Sequence, residues 1–258
     1  MEYFVEKDSV VREIWGKVDT ILFIFAGASA EFALNKAVDW LYFTGKLPAD
    51  PLGRLFSTVT YARNIVFSEN EEALRVIDKV AAIHSSVESK RGALIPEWAY
   101  RDVLFMLIHY SIAAFELLER KLTIKEKEEV FDVFYRFGKQ MKLGGLPENF
   151  DQWLVMRKDH LNKHLERSSY SVDLYKQYKK HLGWMRYKLL LEGQILVVPA
   201  EVNKLLHLGK FSLIRPMLLP YKLFCKIKMD RIIKFILLPD KFKDQINALD
   251  IHRYIRES

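Results

Sequence analysis

Apolar residues recur at spacings of three and four along most of the chain, which is the period of one face of an α-helix. No Asn-Gly or similar hairpin signal separates these segments. We therefore predict an all-α fold. The predicted helices occupy residues 19–38, begin at Pro51 and run to about Phe67, and then begin at Ser68, Pro96, Thr123, near Asp151 and after Pro199.

Capping signals predict where several of these helices begin or end. Asp50 precedes a proline, and proline suits the first position of a helix while aspartate caps it. Ser68 precedes an acidic first turn, which predicts a second capped start. Thr123 and Glu126 have the spacing of a capping box. The glycine pair at 144–145 is expected to stop the helix that this box begins.

The composition is that of a globular protein, with 50 % hydrophobic and 28 % charged residues. No linker or repeat marks a boundary, so residues 1–258 are expected to form a single helical domain. The longest apolar stretches, residues 21–30 and 103–114, are shorter than the ~20 residues of a spanning helix. The one cysteine, Cys225, excludes an intrachain disulfide and favours a reducing compartment, so the expected location is cytoplasmic.

Basic residues are concentrated in the C-terminal part of the chain. Residues 157–258 carry 21 Lys and Arg against 10 Asp and Glu. Such basic faces are usually solvated helix surface, and the sharper alternative is contact with an anionic membrane or an acidic partner. Nucleic acid is not an expected partner because no recognition motif accompanies the charge. The densest group, within residues 222–243, contains Lys222, Lys226, Lys228, Arg231, Lys234, Lys241 and Lys243 against Asp230 and Asp240.

Common catalytic motifs are absent from the sequence. It contains no Gly-rich phosphate loop, HExxH, GxSxG, paired CxxC or Glu-x-x-His. His160 and His164 stand four residues apart beside Asp159, so both lie on one helical face. Two such histidines can hold a metal ion, but the spacing is common, and we expect a wet helix surface there.

His84 occupies an apolar stripe. Ile77, Val80, His84 and Val87 follow the spacing that points one face of a helix at the core. A histidine in that stripe needs a partner for its imidazole. One interpretation is a core histidine bonded to a carbonyl, and the other is the axial ligand of a haem iron. His109 has a similar setting, and the pattern alone does not rank the two histidines.

Arg54 and Thr58 also stand four residues apart and therefore face the same way, with Ala62 and Ile65 continuing the line. The arginine is either a charge on the helix surface or a buried cation with an anionic partner. A buried guanidinium must be paired, and a haem propionate is one such partner.

Five segments, in the same order, resemble the family of the fungal MpaB oxygenase and the bacterial latex-clearing protein (rubber oxygenase). The resemblance covers about residues 17–242 and rests on the order and spacing of the segments. Arg54 and Thr58 match its Arg-x-x-x-Thr, and His84 with Val87 matches its His-x-x-Val. The similar segments are DPLGRLFST, VFSENEEALRVIDKVAAIHSSV, LIPEWAYRDVLFMLIHYSIAAFELL, YRFGKQMKLGGLPENFDQW, and VVPAEVNKLL with the later LLPDKF.

The resemblance implies a helical fold that encloses one haem b, with His84 as the proximal ligand of the iron. His109, Arg54 and Thr58 are implied as residues that line the pocket. The implied activity is that of a haem-dependent oxygenase, which uses dioxygen to oxidise an apolar organic substrate such as an isoprenoid or another lipid.

The chain departs from the latex-clearing protein on the distal side. Ser57 stands where that protein has a lysine before the motif threonine, and only Glu31 and Asp39 are candidates for its distal glutamate. The resemblance therefore supports a haem-binding fold more strongly than it supports cleavage of polyisoprene. Two alternatives remain: a non-catalytic haem- or lipid-binding protein, and a helical interaction module on membranes without a cofactor.

Overall fold

Eleven α-helices account for most of residues 2–45 and 49–226, the part of the chain that the computed structural model describes. No β-strand occurs in these residues, so the predicted all-α fold is confirmed. The helices are α1 (Val10–Trp15), α2 (Val18–Leu34), α3 (Asp39–Phe43), α4 (Pro51–Phe67), α5 (Asn70–Arg91), α6 (Glu97–Leu118), α7 (Ile124–Gln140), α8 (Phe150–Lys163), α9 (Ser169–Val197), α10 (Ala200–Leu206) and α11 (Leu218–Lys226), with a 3₁₀ turn at Arg215–Met217.

Helices α2 and α6 form the centre of the molecule. Both are apolar on most of their circumference and bury residues along their whole length. Helix α2 packs against α6 on one side and against α9 on another; α4 contacts α2, α7 contacts α6, and α5 packs on α4 and α7. A helix that is hydrophobic all round is stable only when it is enclosed in this way. The enclosing helices position the side chains of the candidate site.

The capping predictions are confirmed at two helix starts. The side chain of Asp50 accepts a hydrogen bond from the Gly53 amide (3.1 Å) at the start of α4. Thr123 and Glu126 form the predicted capping box, in which the Thr123 amide donates to Glu126 Oε2 (2.8 Å). These bonds satisfy amide groups that have no partner inside the helix.

Two local predictions are wrong. Ser68 does not cap α5, because it follows the last residue of α4 in extended conformation and α5 begins at Asn70. The glycine pair at 144–145 does not end α7 either. That helix ends at Gln140, and Lys142 already has a positive φ of 58°. The turn therefore begins before the glycines.

The segment α9 consists of two helical stretches joined at a kink, and it was not predicted as an element of its own. Gly183 interrupts it with φ 73° and ψ 171°, a conformation that glycine adopts without steric cost. Within the described residues, no helix has the length and apolar character that a bilayer crossing requires. Of the basic residues predicted to contact an anionic membrane, only the Lys222 side chain is described; the others and the side chain of Cys225 lie outside the described part.

Candidate functional site

A cavity of about 270 Å³ lies among the central helices. Side chains from α2, α4, α5, α6 and α7 line it, and most of them are apolar. Ile83 and Val103 line it too and are 39 % and 36 % exposed, so they mark the side on which the cavity approaches solvent. The volume lies near the lower end of the range for small-molecule sites, about 300–1,000 Å³.

The structure brings Arg54, Thr58 and His84 together in the lining of this cavity. Arg54 and Thr58 lie one turn apart on α4, where the Thr58 hydroxyl donates to the Arg54 carbonyl (3.2 Å). His84 reaches the same cavity from α5. Three polar side chains thus converge on a largely apolar space, which is the usual composition of a small-molecule site.

The His84 imidazole is the least satisfied polar group in the cavity wall. Its Nδ1 is buried and has no hydrogen-bond partner among the described residues. The ring contacts Tyr100 edge to face, with centroids 5.2 Å apart. Burial, with the nearby charge of Arg54, lowers the pKa of His84 to about 4. The imidazole is therefore neutral at ordinary pH, as a metal ligand must be.

Arg54 is a half-buried cation without a carboxylate partner. Its guanidinium donates to Ser57 Oγ (3.3 Å), a neutral acceptor. No ion pair of Arg54 is formed within the described part of the chain. Burial lowers the pKa of Arg54, an effect that Tyr61 partly opposes. Among the described residues that line the cavity, no acidic group compensates the positive charge.

His109 does not line the cavity. It lies next to Tyr110, with the two rings edge to face and centroids 4.9 Å apart. Burial, together with the charge of Arg157, lowers the pKa of His109 to about 3, although Glu31 opposes the shift. The structure therefore associates His109 with a separate, charged part of the core.

Glu31 and Asp39, the two candidates for a distal acid, do not line the cavity either. Asp39 forms an ion pair with Arg91 (2.6 Å). Glu31 is fully buried and bonds both terminal nitrogens of Arg157, and it also accepts a hydrogen bond from the Tyr110 hydroxyl (2.8 Å). Burial opposes ionisation of Glu31, but Arg157 and His160 together more than offset it and hold the pKa well below the ordinary value.

The prediction of a wet helix surface at the second histidine pair is wrong for His160. His160 is only 2 % exposed, and its Nε2 lies 2.8 Å from Glu31 Oε1. Its Nδ1 lies against Asp102 Oδ1, and His164 Nδ1 lies 3.0 Å from Asp102 Oδ2. Asp159, beside them in sequence, does face solvent and pairs with Lys163.

The charged cluster in the core consists of acids and bases from three helices. Burial disfavours the charged form of His160, but the carboxylates of Asp102 and Glu31 outweigh it and raise its pKa. Sequence reasoning missed Asp102 and Arg157. The available signal was Asp102 itself, since it is an acid beside a long apolar stretch of helix α6, and an acid buried there must be paired.

A comparison with protein families matches residues 15–224 to the family described as ER-bound oxygenase mpaB/B'/Rubber oxygenase, catalytic domain. No curated protein and no solved structure matches the chain. The family match spans most of the 258 residues and agrees with the sequence resemblance as far as residue 224, whereas the last similar segment, LLPDKF at 237–242, lies beyond the match and outside the described residues. The chain therefore belongs to the mpaB/rubber oxygenase catalytic-domain family and is an enzyme of the oxygenase class.

Proposed function

We propose that the chain binds one haem b in the cavity, with His84 as the proximal ligand of the iron, and that it oxidises an apolar small molecule with dioxygen. The observation that carries this proposal is that two polar groups, each lacking a partner, line the same apolar cavity. These are the buried His84 imidazole, whose Nδ1 lacks a partner, and the Arg54 guanidinium, which lacks an anion among the described residues.

His84 has the properties that axial ligation requires. A haem iron needs a neutral imidazole with a free ring nitrogen, held by a rigid element. The low pKa of His84 keeps the ring neutral, and its place in the middle of α5 fixes its position. The edge-to-face contact with Tyr100 limits rotation of the ring. A ligand inside the cavity would give the imidazole the partner that its Nδ1 lacks.

Arg54 has the properties of an anchor for a haem propionate. A buried guanidinium without an anion is unfavourable, and a carboxylate is the partner that it binds best. Thr58 lies one turn along on the same face, and its hydroxyl, which donates to the Arg54 carbonyl in this structure, would turn to donate to the same ligand. We therefore assign Arg54 and Thr58 to the propionate edge, and we expect side chains at the cavity wall to shift when a group as large as haem enters.

The substrate is expected to be apolar, because the cavity wall offers mainly aliphatic and aromatic side chains. Exposed Ile83 and Val103 form an apolar approach to it. When bound, haem b supplies the iron that reacts with dioxygen, and the chain supplies the ligand, the counter-charge and a space that excludes water. An isoprenoid or another lipid fits that chemistry.

Reconstitution with hemin tests the cofactor. The wild-type chain should gain a Soret band with one haem per chain, and His84→Ala should lose the histidine-ligated spectrum while keeping its helical circular dichroism. His207→Ala, at an exposed position, is the matched control and should behave as wild type. A native Soret band in the His84 variant would rule out His84 as the ligand. The absence of a band in the wild type would reject the haem proposal itself.

A second candidate function is haem or lipid binding without catalysis. The described residues of the cavity wall include no Asp, Glu or Lys, so none of them would supply a carboxylate or an ammonium group for acid–base chemistry on a bound substrate. Oxygen uptake by the reconstituted protein with a panel of lipids separates the two functions. Substrate-dependent uptake supports the oxygenase, whereas haem binding without uptake supports the binding protein.

A further inference from the structure

We propose that Asp102, His160 and His164 form a second site, separate from the haem cavity, that binds one divalent ion of a first-row transition metal. None of the three residues lines the cavity. One ligand atom from each lies within 4.8 Å of the other two, so a single ion can contact all three. The site does not depend on the proposed haem function.

The ligand atoms come from two packed helices. Asp102 projects from α6, while His160 is one turn from the end of α8 and His164 directly follows that helix. The two imidazoles approach the two oxygens of one carboxylate, and their planes are inclined at 81° with centroids 5.6 Å apart. Rings inclined in this way present ring nitrogens to a common point without stacking. The four-residue spacing of His160 and His164, which places both on one helical face, therefore brings both imidazoles to the same carboxylate.

His160 Nδ1 is the observation that points to a ligand. The Glu31 carboxylate only accepts hydrogen bonds when ionised, so the proton of a neutral His160 ring lies on Nε2. Nδ1 then presents a lone pair to Asp102 Oδ1, which is an acceptor as well. The contact lacks hydrogen-bond geometry, and Nδ1 is buried. Despite burial, the two carboxylates raise the pKa of His160, so without a metal a proton lies between Nδ1 and Asp102 Oδ1, and a divalent cation beside both atoms would replace that proton.

The surroundings resemble the support that metal-binding side chains receive. A histidine ligand commonly donates its other ring nitrogen to a carboxylate, and Glu31 fills that role for His160. Asn35 Nδ2 donates to Asp102 Oδ2 (3.0 Å), which orients the carboxylate. The Trp98 ring lies over His164 with centroids 4.4 Å apart. Each ligand is thus held by a neighbour.

Charge and access also favour a divalent cation. Arg157 is neutralised by its two bonds to Glu31, so Asp102 is the acid left to face the metal. Asp102 and His160 are buried, but the side chain of His164 is 27 % exposed, which gives the ion a route from solvent. Two imidazoles and one carboxylate suit zinc, iron or cobalt, and three protein ligands leave a coordination position open.

Titration of the full chain, without haem, with Co²⁺ tests the site. The wild type should bind one Co²⁺ per chain and develop visible absorption bands of histidine-ligated cobalt. His164→Ala removes the ligand nearest the surface and should weaken binding by at least tenfold. His84→Ala is the matched control: it should lose the haem site and bind Co²⁺ as the wild type does.

Two further measurements cover variants that fold poorly. Asn35→Ala keeps all three ligands but removes the orienting bond to Asp102, together with the local bond from the Ala37 amide, and should weaken binding roughly tenfold to hundredfold, the range for supporting residues. Zn²⁺ should raise the Tm of the wild type but not that of His164→Ala, since a ligand stabilises only the state that binds it. No stoichiometric Co²⁺ binding by the wild type, or equal affinity in wild type and His164→Ala, would overturn the proposal.

Discussion

The ring of Tyr110 lies directly against Gly27, so closely that a β-carbon at Gly27 would stand 2.1 Å from Tyr110 Cδ1. Tyr110 cannot easily retreat, because its hydroxyl donates to Glu31, which in turn holds Arg157. The absence of a side chain at Gly27 therefore allows α2 and α6 to approach this closely.

Replacing Gly27 by alanine should destabilise the protein. The methyl group would force the Tyr110 ring or the two helices apart, and overpacking of this kind costs about 1–3 kcal/mol. Urea unfolding followed by circular dichroism measures it. Gly193→Ala is the control: its added methyl group meets Ala26 at an ordinary contact distance of 3.5 Å, so it should be neutral or stabilising. Equal stability of the two variants would contradict the role of Gly27.

Removing Arg157 should leave the buried Glu31 without its main counter-charge, with His160 and Tyr110 as its remaining partners. We expect Arg157→Met to cost about 3–5 kcal/mol, as breaking one side of a buried ion pair does. Arg75→Met is the control, because the Arg75 pairs with Glu71 and Glu72 are exposed and contribute little. Thermal unfolding of both variants measures how much stability each one loses. Similar Tm values would show that the pair in the core contributes no more than a surface pair.

Arg54→Ala should separate cofactor binding from stability. Because Arg54 has no anionic partner among the described residues, its removal should leave the haem-free protein at least as stable as the wild type. The same variant should hold haem more weakly, because a propionate loses its counter-charge. Hemin titration and thermal unfolding measure the two effects, with Arg75→Ala as the control. A large loss of stability without haem would show that Arg54 has a structural partner.

His109 should make the protein less stable in acid. Its pKa in the folded state is lowered to about 3, whereas in the unfolded chain it titrates near 6.5. Between these two pH values His109 binds a proton in the unfolded state but not in the folded state. The free energy of unfolding therefore falls as the pH decreases from about 6.5 towards 3. His109→Gln should show a weaker fall over that window, by up to a few kcal/mol. Urea unfolding at several pH values measures it, and parallel curves would reject the shift.

Local signals in the sequence predicted local structure well. Asp50 with its proline and Thr123 with Glu126 mark helix starts because the bonds that they make span only three residues. The stripe through His84 correctly predicted a histidine on an inward face, because periodicity determines which side of a helix is buried. The family resemblance was confirmed by the match over residues 15–224.

Partnerships across the fold could not be predicted in the same way. His160 appeared to be a surface residue because its partners, Asp102 and Glu31, are far away in sequence and on other helices. His109 has an inward setting similar to that of His84, but neighbouring helices direct it to the charged cluster and not to the cavity. Periodicity gives the face of a helix, whereas the identity of the facing residue depends on tertiary packing.

Asn35 belongs to both regions of the molecule. It lines the cavity, its Nδ2 donates to Asp102, and its Oδ1 accepts from the Ala37 amide (2.8 Å). Attempts to enlarge the cavity from this side would therefore disturb the ion pairs of the core and lower the yield of folded protein. Ile83 and Val80, on the opposite α5 wall, carry no such bonds, so redesign for bulkier substrates should start there.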